Sequence, residues 1–247
     1  MAAGLGTRLK PWTLTHPKAL VPVEGVPALE RLIMKLKSQG FTYIVVNVHH
    51  FAGQVRDFLA THDFGIRVEI SDESECLLDT GGALVRASDL LNAESGPVLI
   101  HNVDIVSNVD AAEVVGNHEM SGNDITLVTS PRASSRRLLF DGTGKLKGWH
   151  NLNSGEYRPA GFVPESGMRE MAFSGIYVLG NKALDALARY SRERDTDVFP
   201  IMDFLLSSPE DLTIKELYSP ELQLLDIGKP ETLEKVPDFL NKYGLKA

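Results

Sequence analysis

The 247-residue sequence has a single cysteine, Cys76, so it cannot form an intrachain disulfide and nothing in it requires an oxidising compartment. No apolar run reaches the roughly 18 residues of a membrane-spanning helix. The first residues do not resemble a secretory signal, because glycines and a proline stand where its apolar stretch would lie. These absences predict a cytoplasmic protein that makes no use of a membrane.

Basic residues are also in short supply. The chain has 25 Lys and Arg against 33 Asp and Glu, a formal net charge of −8. A net negative charge argues against nucleic acid or an anionic membrane as the main partner. It is compatible with a small anionic substrate, which needs only local positive charge. The 43% hydrophobic content suffices for one sizeable core, or for one core with an appended lobe.

The first half of the sequence alternates between patterns typical of helices and of strands. Leu29, Leu32, Ile33 and Leu36 recur at the spacing of one helix face, and Gly40 follows as a terminator. Further helices are predicted around 55–59, around 84–91 and from a cap at Asp110, and strands at 43–48, 66–70, 97–100 and 124–130. Repeated units of this length predict an α/β fold with a mostly parallel, Rossmann-like sheet and helices on both faces.

The second half follows a different pattern. Residues 138–149 predict a hairpin around Asp-Gly-Thr-Gly, and the polar stretch 151–170 predicts a surface excursion. Further strands are predicted at 171–180, 213–218 and 222–227, and helices near 181–191, near 198–207 and from Pro230. Because no linker is evident, we expect one domain over residues 1–247, with an elaborated half after residue 130.

A glycine-rich run, Gly4-Leu5-Gly6-Thr7-Arg8, lies close to the start of the chain. Glycines allow backbone turns with positive φ and can present successive N–H groups to an anion. Lys18, which follows Pro17, could neutralise phosphate charge beside such a loop. The run is neither a Walker A motif nor a complete Rossmann fingerprint. Taken alone, it is equally compatible with an ordinary turn and a solvated lysine.

Two aspartates each follow an apolar strand pattern. Asp104 comes after the strand predicted at 97–100, and Asp226 is the last residue but one of the strand predicted at 222–227. Ligands of open α/β sheets bind at the carboxyl ends of strands. A single aspartate at a strand end is more often an Asx-turn, so the positions of these two aspartates alone leave a binding role and a turn role open.

The combined motifs resemble those of the sugar-1-phosphate nucleotidyltransferases. Gly-x-Gly-Thr-Arg-Leu, Pro11, Pro17-Lys18 and "LVPVEGVP" agree with that family in order and spacing, although Ala19 stands where a second proline is frequent. The segment 64–91 resembles the family's strand, acidic-Thr-Gly-Gly turn and helix. Residues 64–91 are most similar to the corresponding segment of the compact N-acetylmuramate 1-phosphate uridylyltransferases and of mannose- or heptose-1-phosphate guanylyltransferases.

The resemblance implies a role for each matching residue. The residues expected to bind the nucleotide are Ala3, Gly4, Gly6, Thr7, Gly81 and Gly82. The catalytic cations are expected to be Arg8 on the triphosphate and Lys18 at the transferred phosphate. Asn102 and Gly175 are expected near the sugar, and Asp104 and Asp226 are expected to hold Mg²⁺. On this basis residues 1–130 form the nucleotide-binding half, and residues 131–247 form the sugar-phosphate and metal half. For the Asp79-Thr80-Gly81-Gly82 segment, a capped helix start is an alternative that is compatible with base contact.

The implied reaction joins a nucleoside triphosphate to a sugar 1-phosphate and releases pyrophosphate, with UTP favoured and GTP next. Two alternatives stay open: a non-catalytic nucleotide-sugar sensor of the same fold, and a cytidylyltransferase acting on phosphocholine. The family's Glu-Lys-Pro lysine has no match here, and Lys145, Lys147 or Arg158 could replace it. The oligomeric state is left open.

In this family an apolar strand of five or six residues precedes the Ala-Ala-Gly that this chain has at residues 2–4. Met1 stands where that strand would end. The resemblance therefore leads us to expect that the first strand is missing, that its central slot in the sheet is empty or borrowed, and that activity is impaired.

Overall fold

The computed structural model of the protein describes residues 1–91, 96–207 and 211–245. Its strands are β1 (Pro22–Val23), β2 (Val26–Pro27), β3 (Tyr43–Val48), β4 (Arg67–Asp72), β5 (Val98–His101), β6 (Ile105–Ser107), β7 (Ile125–Ser130), β8 (Arg136–Phe140), β9 (Leu146–Asn151), β10 (Glu156–Arg158), β11 (Arg169–Leu179), β12 (Ile214–Tyr218) and β13 (Leu224–Asp226). Its α-helices are α1 (Ala28–Ser38), α2 (Ala52–Thr61), α3 (Asp79–Arg86), α4 (Ser88–Leu91), α5 (Ala111–Ser121), α6 (Asn181–Arg192), α7 (Ile201–Leu206), α8 (Pro230–Leu233) and α9 (Val236–Tyr243). Short 3₁₀ helices span Thr7–Leu9, Trp12–Leu14 and Lys18–Leu20.

The helices follow from the spacing of their apolar residues. In α1, Leu29, Ile33 and Leu36 are buried, and Gly40 follows with a φ of +91°. At the start of α5, the Asp110 side chain accepts a hydrogen bond from the Glu113 N–H at 3.0 Å, which confirms the predicted cap. The helices predicted from residue 181 onwards are confirmed as α6, α7 and α8.

The largest sheet is organised around β11. This strand pairs antiparallel with both β5 and β7, which therefore run in the same direction, and β12 pairs parallel with β7. The predicted α/β fold with a mostly parallel central sheet is confirmed, and β11 is its antiparallel member. The sheet continues through β8, β9 and β10 by antiparallel pairing. The hairpin 138–149 is thus confirmed as β8–β9. The expected excursion over 151–170 contains β10, which pairs with β9.

Strands β3 and β4 form a separate parallel pair. In the part of the chain that the structure describes, β3 makes no ladder with β5. A cavity of about 560 Å³ lies between them and is lined by residues of both strands.

Each helix in the described ranges is too short or too polar to cross the apolar layer of a bilayer.

Candidate active site

The glycine run forms a tight turn against the following segment. Gly6 has a φ of +61°, and its carbonyl accepts a hydrogen bond from the Thr13 hydroxyl at 2.9 Å. A Cβ at Gly6 would lie only 2.8 Å from Thr13 Cγ2, so the turn requires glycine at this position. Ala3 is buried under the turn, whereas Thr7 and Arg8 are exposed. The loop therefore presents its polar side chains to solvent.

Lys18 lies against this loop and is paired with Asp104. Its Nζ donates to Asp104 Oδ2 at 2.9 Å, and the two side chains are only 15% and 14% exposed. A Cβ at Gly4 would come within 3.1 Å of the Lys18 Nζ. Burial raises the pKa of Asp104, but the charge and hydrogen bond of Lys18 outweigh it and hold the pKa below its usual value. The pair is thus a nearly buried ion pair between loop and sheet.

Asp226 is brought beside Asp104 by antiparallel pairing of β13 with β6, in which Asp226 lies opposite Ile105. The Ile227 N–H donates to the carbonyl of Asp104 at 2.9 Å, which continues the pairing by one residue. Arg8 reaches Asp226 from the glycine loop, with Nη1 to Oδ2 at 3.2 Å. Each aspartate therefore faces one of the two cations predicted to be catalytic.

Gly228 shows how closely these groups converge. A Cβ built at this position would lie 2.8 Å from Asp226 Oδ1, 3.0 Å from Arg8 Nη2 and 3.2 Å from Asp104 Oδ2. The two carboxylate oxygens are each within about 3 Å of one point, so they lie within about 6 Å of each other. The absence of a side chain at Gly228 leaves room for this convergence.

The pair of carboxylates suits a magnesium ion. Mg²⁺ prefers oxygen ligands and is usually bound through one or two carboxylates completed by substrate phosphates and water. Over the described ranges, no group of three or more His, Cys, Asp and Glu side chains is placed to hold a metal alone. Asp104 and Asp226 therefore fit a site that is completed by phosphate oxygens.

The two residues expected near the sugar lie together. Gly175 forms part of a bulge in β11, where the register with β7 shifts between Phe173 and Tyr177, and its φ is +76°. A Cβ there would lie 2.6 Å from Asn102 Nδ2. Since Asn102 is two residues before Asp104, the bulge contacts the segment that carries this carboxylate. Contact with a sugar remains a prediction.

A further cation, Arg132, was not predicted from the sequence. It lies two residues after the end of β7, and its Nη2 donates to the Phe173 carbonyl at 2.7 Å. Burial lowers the pKa of Arg132, while the charge of Asp226 acts in the opposite direction. Among the described residues, its buried Nε has no hydrogen-bond partner. The sequence feature that could have identified Arg132 is its position at the carboxyl end of a parallel strand, the same kind of position that drew attention to Asp104.

The three cations considered as replacements for the Glu-Lys-Pro lysine lie on or beside the β8–β10 hairpins. Lys147 is paired with Asp141 at 3.5 Å, and Arg158 donates to Glu156 at 2.8 Å. Lys145 donates its backbone N–H to Asp141. Two of the three side chains are therefore already paired within this region.

Gly81 and Gly82 permit a close approach by residues 197–199. Both N–H groups donate to the Phe199 carbonyl, at 2.9 and 3.2 Å. A Cβ at Gly81 would lie 2.3 Å from the Phe199 ring, and one at Gly82 would lie 2.0 Å from the Asp197 carbonyl oxygen. The glycines are thus required by a contact within the chain, and contact with a nucleobase stays a prediction.

The start of α3 is not the capped helix start that the sequence offered as an alternative for residues 79–82. The helix begins at Asp79, its N-cap is Leu78, and no side chain caps it. The expected cap at Asp79 or Thr80 is therefore wrong. The Thr80 hydroxyl accepts a hydrogen bond from the Ile201 N–H at 2.9 Å instead, because α7 packs against this turn.

Comparison with known proteins identifies the family of the chain. A family model described as "Nucleotidyl transferase" matches residues 1–242. The chain belongs to this nucleotidyl transferase family.

Curated relatives within the family carry two kinds of name. A mannose-1-phosphate guanyltransferase of Gibberella zeae is 28% identical over 247 residues, covering 98% of this chain and 61% of the relative. An N-acetylmuramate alpha-1-phosphate uridylyltransferase of Caulobacter vibrioides is 39% identical over 155 residues, covering 59% of this chain and 62% of the relative. The chain thus spans about 61% of the length of the first curated relatives that it matches.

Solved structures share the fold. HddC from Yersinia pseudotuberculosis superposes with a TM-score of 0.73 at 23% identity, covering 96% of each chain, and a second structure of that protein is complexed with GMP-PN. A putative glucose-1-phosphate thymidylyltransferase from Bacillus anthracis superposes with a TM-score of 0.74 at 18% identity. At these identities the likeness establishes the fold alone.

Proposed function

We propose that the protein joins a nucleoside triphosphate to a sugar 1-phosphate, giving a nucleotide sugar and pyrophosphate. The observation that carries the proposal is the convergence of Arg8, Asp104 and Asp226 around Gly228, with Lys18 paired to Asp104. Two cations and two carboxylates therefore lie together beside a glycine loop. A reaction between two polyanions requires groups that hold the phosphates in position and neutralise their charge.

The residues of the chain act mainly by binding and orienting phosphates. A phosphate oxygen of the sugar 1-phosphate attacks the α-phosphorus, and the bond from that phosphorus to the pyrophosphate oxygen breaks. The nucleophile is already an anion, so no general base is needed. Arg8 is exposed at the loop and can follow the triphosphate, whereas Lys18 is held beside the carboxylates and suits the transferred phosphate.

Asp104 and Asp226 would hold Mg²⁺, which supplies neutralisation of the phosphate charge when it is bound. Lys18 and Arg8 would then exchange their aspartate partners for phosphate oxygens. Asn102 and Gly175, which pack against each other, would contact the sugar, and Arg132 is a candidate for holding its phosphate from the β7 side.

The nucleobase is uracil or guanine in this proposal. The resemblance of residues 64–91 favours UTP, whereas several similar curated proteins are named as mannose-1-phosphate guanyltransferases. The decisive experiment measures pyrophosphate release for four nucleoside triphosphates against several sugar 1-phosphates and phosphocholine, with Mg²⁺. A nucleotide-sugar sensor would release none in any combination, and release only with CTP and phosphocholine would replace the sugar substrate.

The catalytic assignment is tested by two matched substitutions. We expect Asp104→Asn to lower kcat/KM by about 100-fold or more, since it removes one charge from the reaction centre. Asp110→Asn removes the same charge from the cap of α5, where asparagine is an equally good cap, so activity and stability should be unchanged. Asp104→Asn activity within twofold of the unmodified protein would contradict the assignment.

A further inference from the structure

Two adjacent histidines, His49 and His50, stand directly after the last residue of β3. They occupy the carboxyl end of a strand that pairs parallel with β4, which is where open α/β sheets place their ligand sites. The chain then turns at Phe51, whose φ of +52° lies in the left-handed region that aromatic residues rarely adopt. Backbone strain of this kind clusters at functional sites. The outlier makes the two preceding side chains candidates for a functional role.

His50 holds the segment that supports the glycine loop. Its Nε2 lies 3.1 Å from the Thr13 carbonyl oxygen. Because a carbonyl can only accept a hydrogen bond, Nε2 carries the proton and donates it. The Thr13 hydroxyl in turn donates to the Gly6 carbonyl at 2.9 Å, and the Leu9 N–H donates to the same carbonyl at 2.8 Å, which closes the glycine turn. Since Thr13 is buried, water competes little for this chain of hydrogen bonds from His50 to Gly6.

His49 holds the start of α3 in a similar way. Its Nδ1 donates to the Glu73 carbonyl at 2.6 Å. The Glu73 side chain is buried, and its carboxylate accepts from the Asn47 side-chain amide at 2.8 Å and from the Leu78 N–H at 3.4 Å. Leu78 is the N-cap of α3, the helix that contains the Thr-Gly-Gly segment, residues 80–82. His49 therefore fixes the approach to that segment relative to β3.

We propose that His49 and His50 are positioning residues that set the spacing between the glycine loop and the Thr-Gly-Gly segment, so that a nucleoside triphosphate meets both already in place. Neighbouring side chains of an extended segment point to opposite sides, which lets one dipeptide reach two loops. The inference rests on the proposed function, because the resemblance assigns both loops to the nucleotide. Neither imidazole needs to touch the nucleotide, since each acts through a backbone carbonyl.

The donor atom of each ring allows a test by conservative substitution. The amide nitrogen of asparagine is attached to Cγ, as Nδ1 of histidine is, whereas that of glutamine lies one atom further out, as Nε2 does. His49→Asn and His50→Gln therefore keep a donor near its place, whereas His49→Gln and His50→Asn misplace it. The same two amides thus serve as rescue at one position and as loss at the other.

Hydrogen exchange of single amides reports on each loop in the free protein. His50→Asn should accelerate exchange of the Leu9 amide by about fivefold or more and leave the Cys76 amide unchanged. His49→Gln should do the reverse, because the Cys76 N–H donates to the Glu73 carbonyl at 3.1 Å. A general loss of stability would accelerate both amides in every variant, so acceleration of both by the same factor would overturn the proposal.

Nucleotide affinity is the second readout, measured by calorimetry with non-hydrolysable analogues of UTP and GTP. The apparent dissociation constant rises as the fraction of protein with both loops in place falls, so His49→Gln and His50→Asn should raise it by about 5- to 10-fold. His49→Asn and His50→Gln should stay within about twofold of the unmodified protein. The control is His62→Gln, which removes a contact of the same kind, 2.7 Å to the Phe58 carbonyl, at the other end of α2. It should leave affinity and both amides unchanged.

Equal effects of asparagine and glutamine at both positions would refute the proposal, because the position of the donor would then be irrelevant. Thr13→Val covers the case in which His50→Asn does not fold, since it removes only the hydroxyl that reaches Gly6. It should accelerate Leu9 exchange and weaken affinity, and a Thr13→Val protein unchanged in both would also refute the proposal. An unmodified protein that binds no triphosphate would contradict the proposed function, whereas the exchange rates of the free protein would still decide the role of the two histidines.

Discussion

Gly228→Ala is the substitution that tests the site geometry most sharply. The added methyl group would meet Asp226 Oδ1 at 2.8 Å and Asp104 Oδ2 at 3.2 Å. An ordinary contact needs about 3.4 Å, so the Asp226 carboxylate must move by about 0.6 Å. The atoms displaced are ends of side chains, and the Gly228 backbone is outside the left-handed region. The fold should therefore tolerate alanine.

The expected effect is on catalysis rather than on stability. Misplacement of reacting groups by 1 Å can lower the rate about 100-fold, so a shift of about half that size should lower kcat/KM by roughly 10- to 30-fold. The free energy of unfolding should change by less than about 1 kcal/mol, because reduced freedom of the unfolded chain offsets the contact. Pyrophosphate release with the preferred substrates and urea unfolding measure the two quantities.

Gly116→Ala provides the matched control. Gly116 lies within α5, where an added Cβ meets nothing within 4 Å. Alanine should stabilise this helix by about 1 kcal/mol and leave kcat/KM unchanged. The reasoning fails if Gly228→Ala retains kcat/KM within twofold, or if its loss of activity merely follows a loss of folded protein.

Three further predictions concern charge. Burial lowers the pKa of the Met1 amino group from 8.0 to about 5. Between these values the unfolded chain binds a proton that the folded chain does not, so stability should rise by up to about 4 kcal/mol from pH 5 to pH 8. Nα-acetylation should remove this part of the pH dependence, and intact-mass measurement confirms that Met1 is retained. Lys18→Met should destabilise the protein by about 3 kcal/mol, because it leaves the nearly buried Asp104 carboxylate without a counter-charge. Adding Asp104→Asn should restore part of the free energy of unfolding, as measured in urea. Arg132→Gln should raise KM for the sugar 1-phosphate at least fivefold more than KM for the triphosphate, whereas Arg136→Gln, at the exposed first residue of β8, should change neither.

Local periodicity predicted most of the regular structure. Leu29, Ile33 and Leu36 define α1 by their spacing, and the continuous apolar runs of β3 and β7 identify buried strands. These patterns are reliable because each element's own residues determine which face is buried. The short strand β6 escaped prediction, because its stability comes from pairing with β13, more than a hundred residues further along the chain.

The site was predictable in its parts but not in its assembly. The motifs around Lys18, Asp104 and Asp226 drew attention to those residues, and the structure brings them together. Arg132 has no motif around it, and both its hydrogen bond to the Phe173 carbonyl and the influence of the Asp226 charge on its pKa exist only in the folded chain. Such contacts depend on tertiary packing, which the spacing of residues along the chain does not encode.

The two hydrogen bonds that Gly81 and Gly82 donate to the Phe199 carbonyl can report on the motion of residues 197–199. Two amides that share one acceptor lose their protection from hydrogen exchange together when residues 197–199 lift away. Their exchange rates would therefore measure, without any label or substitution, how often this part of the second half separates from the first. A ligand that bridged the two halves would slow both amides by the same factor.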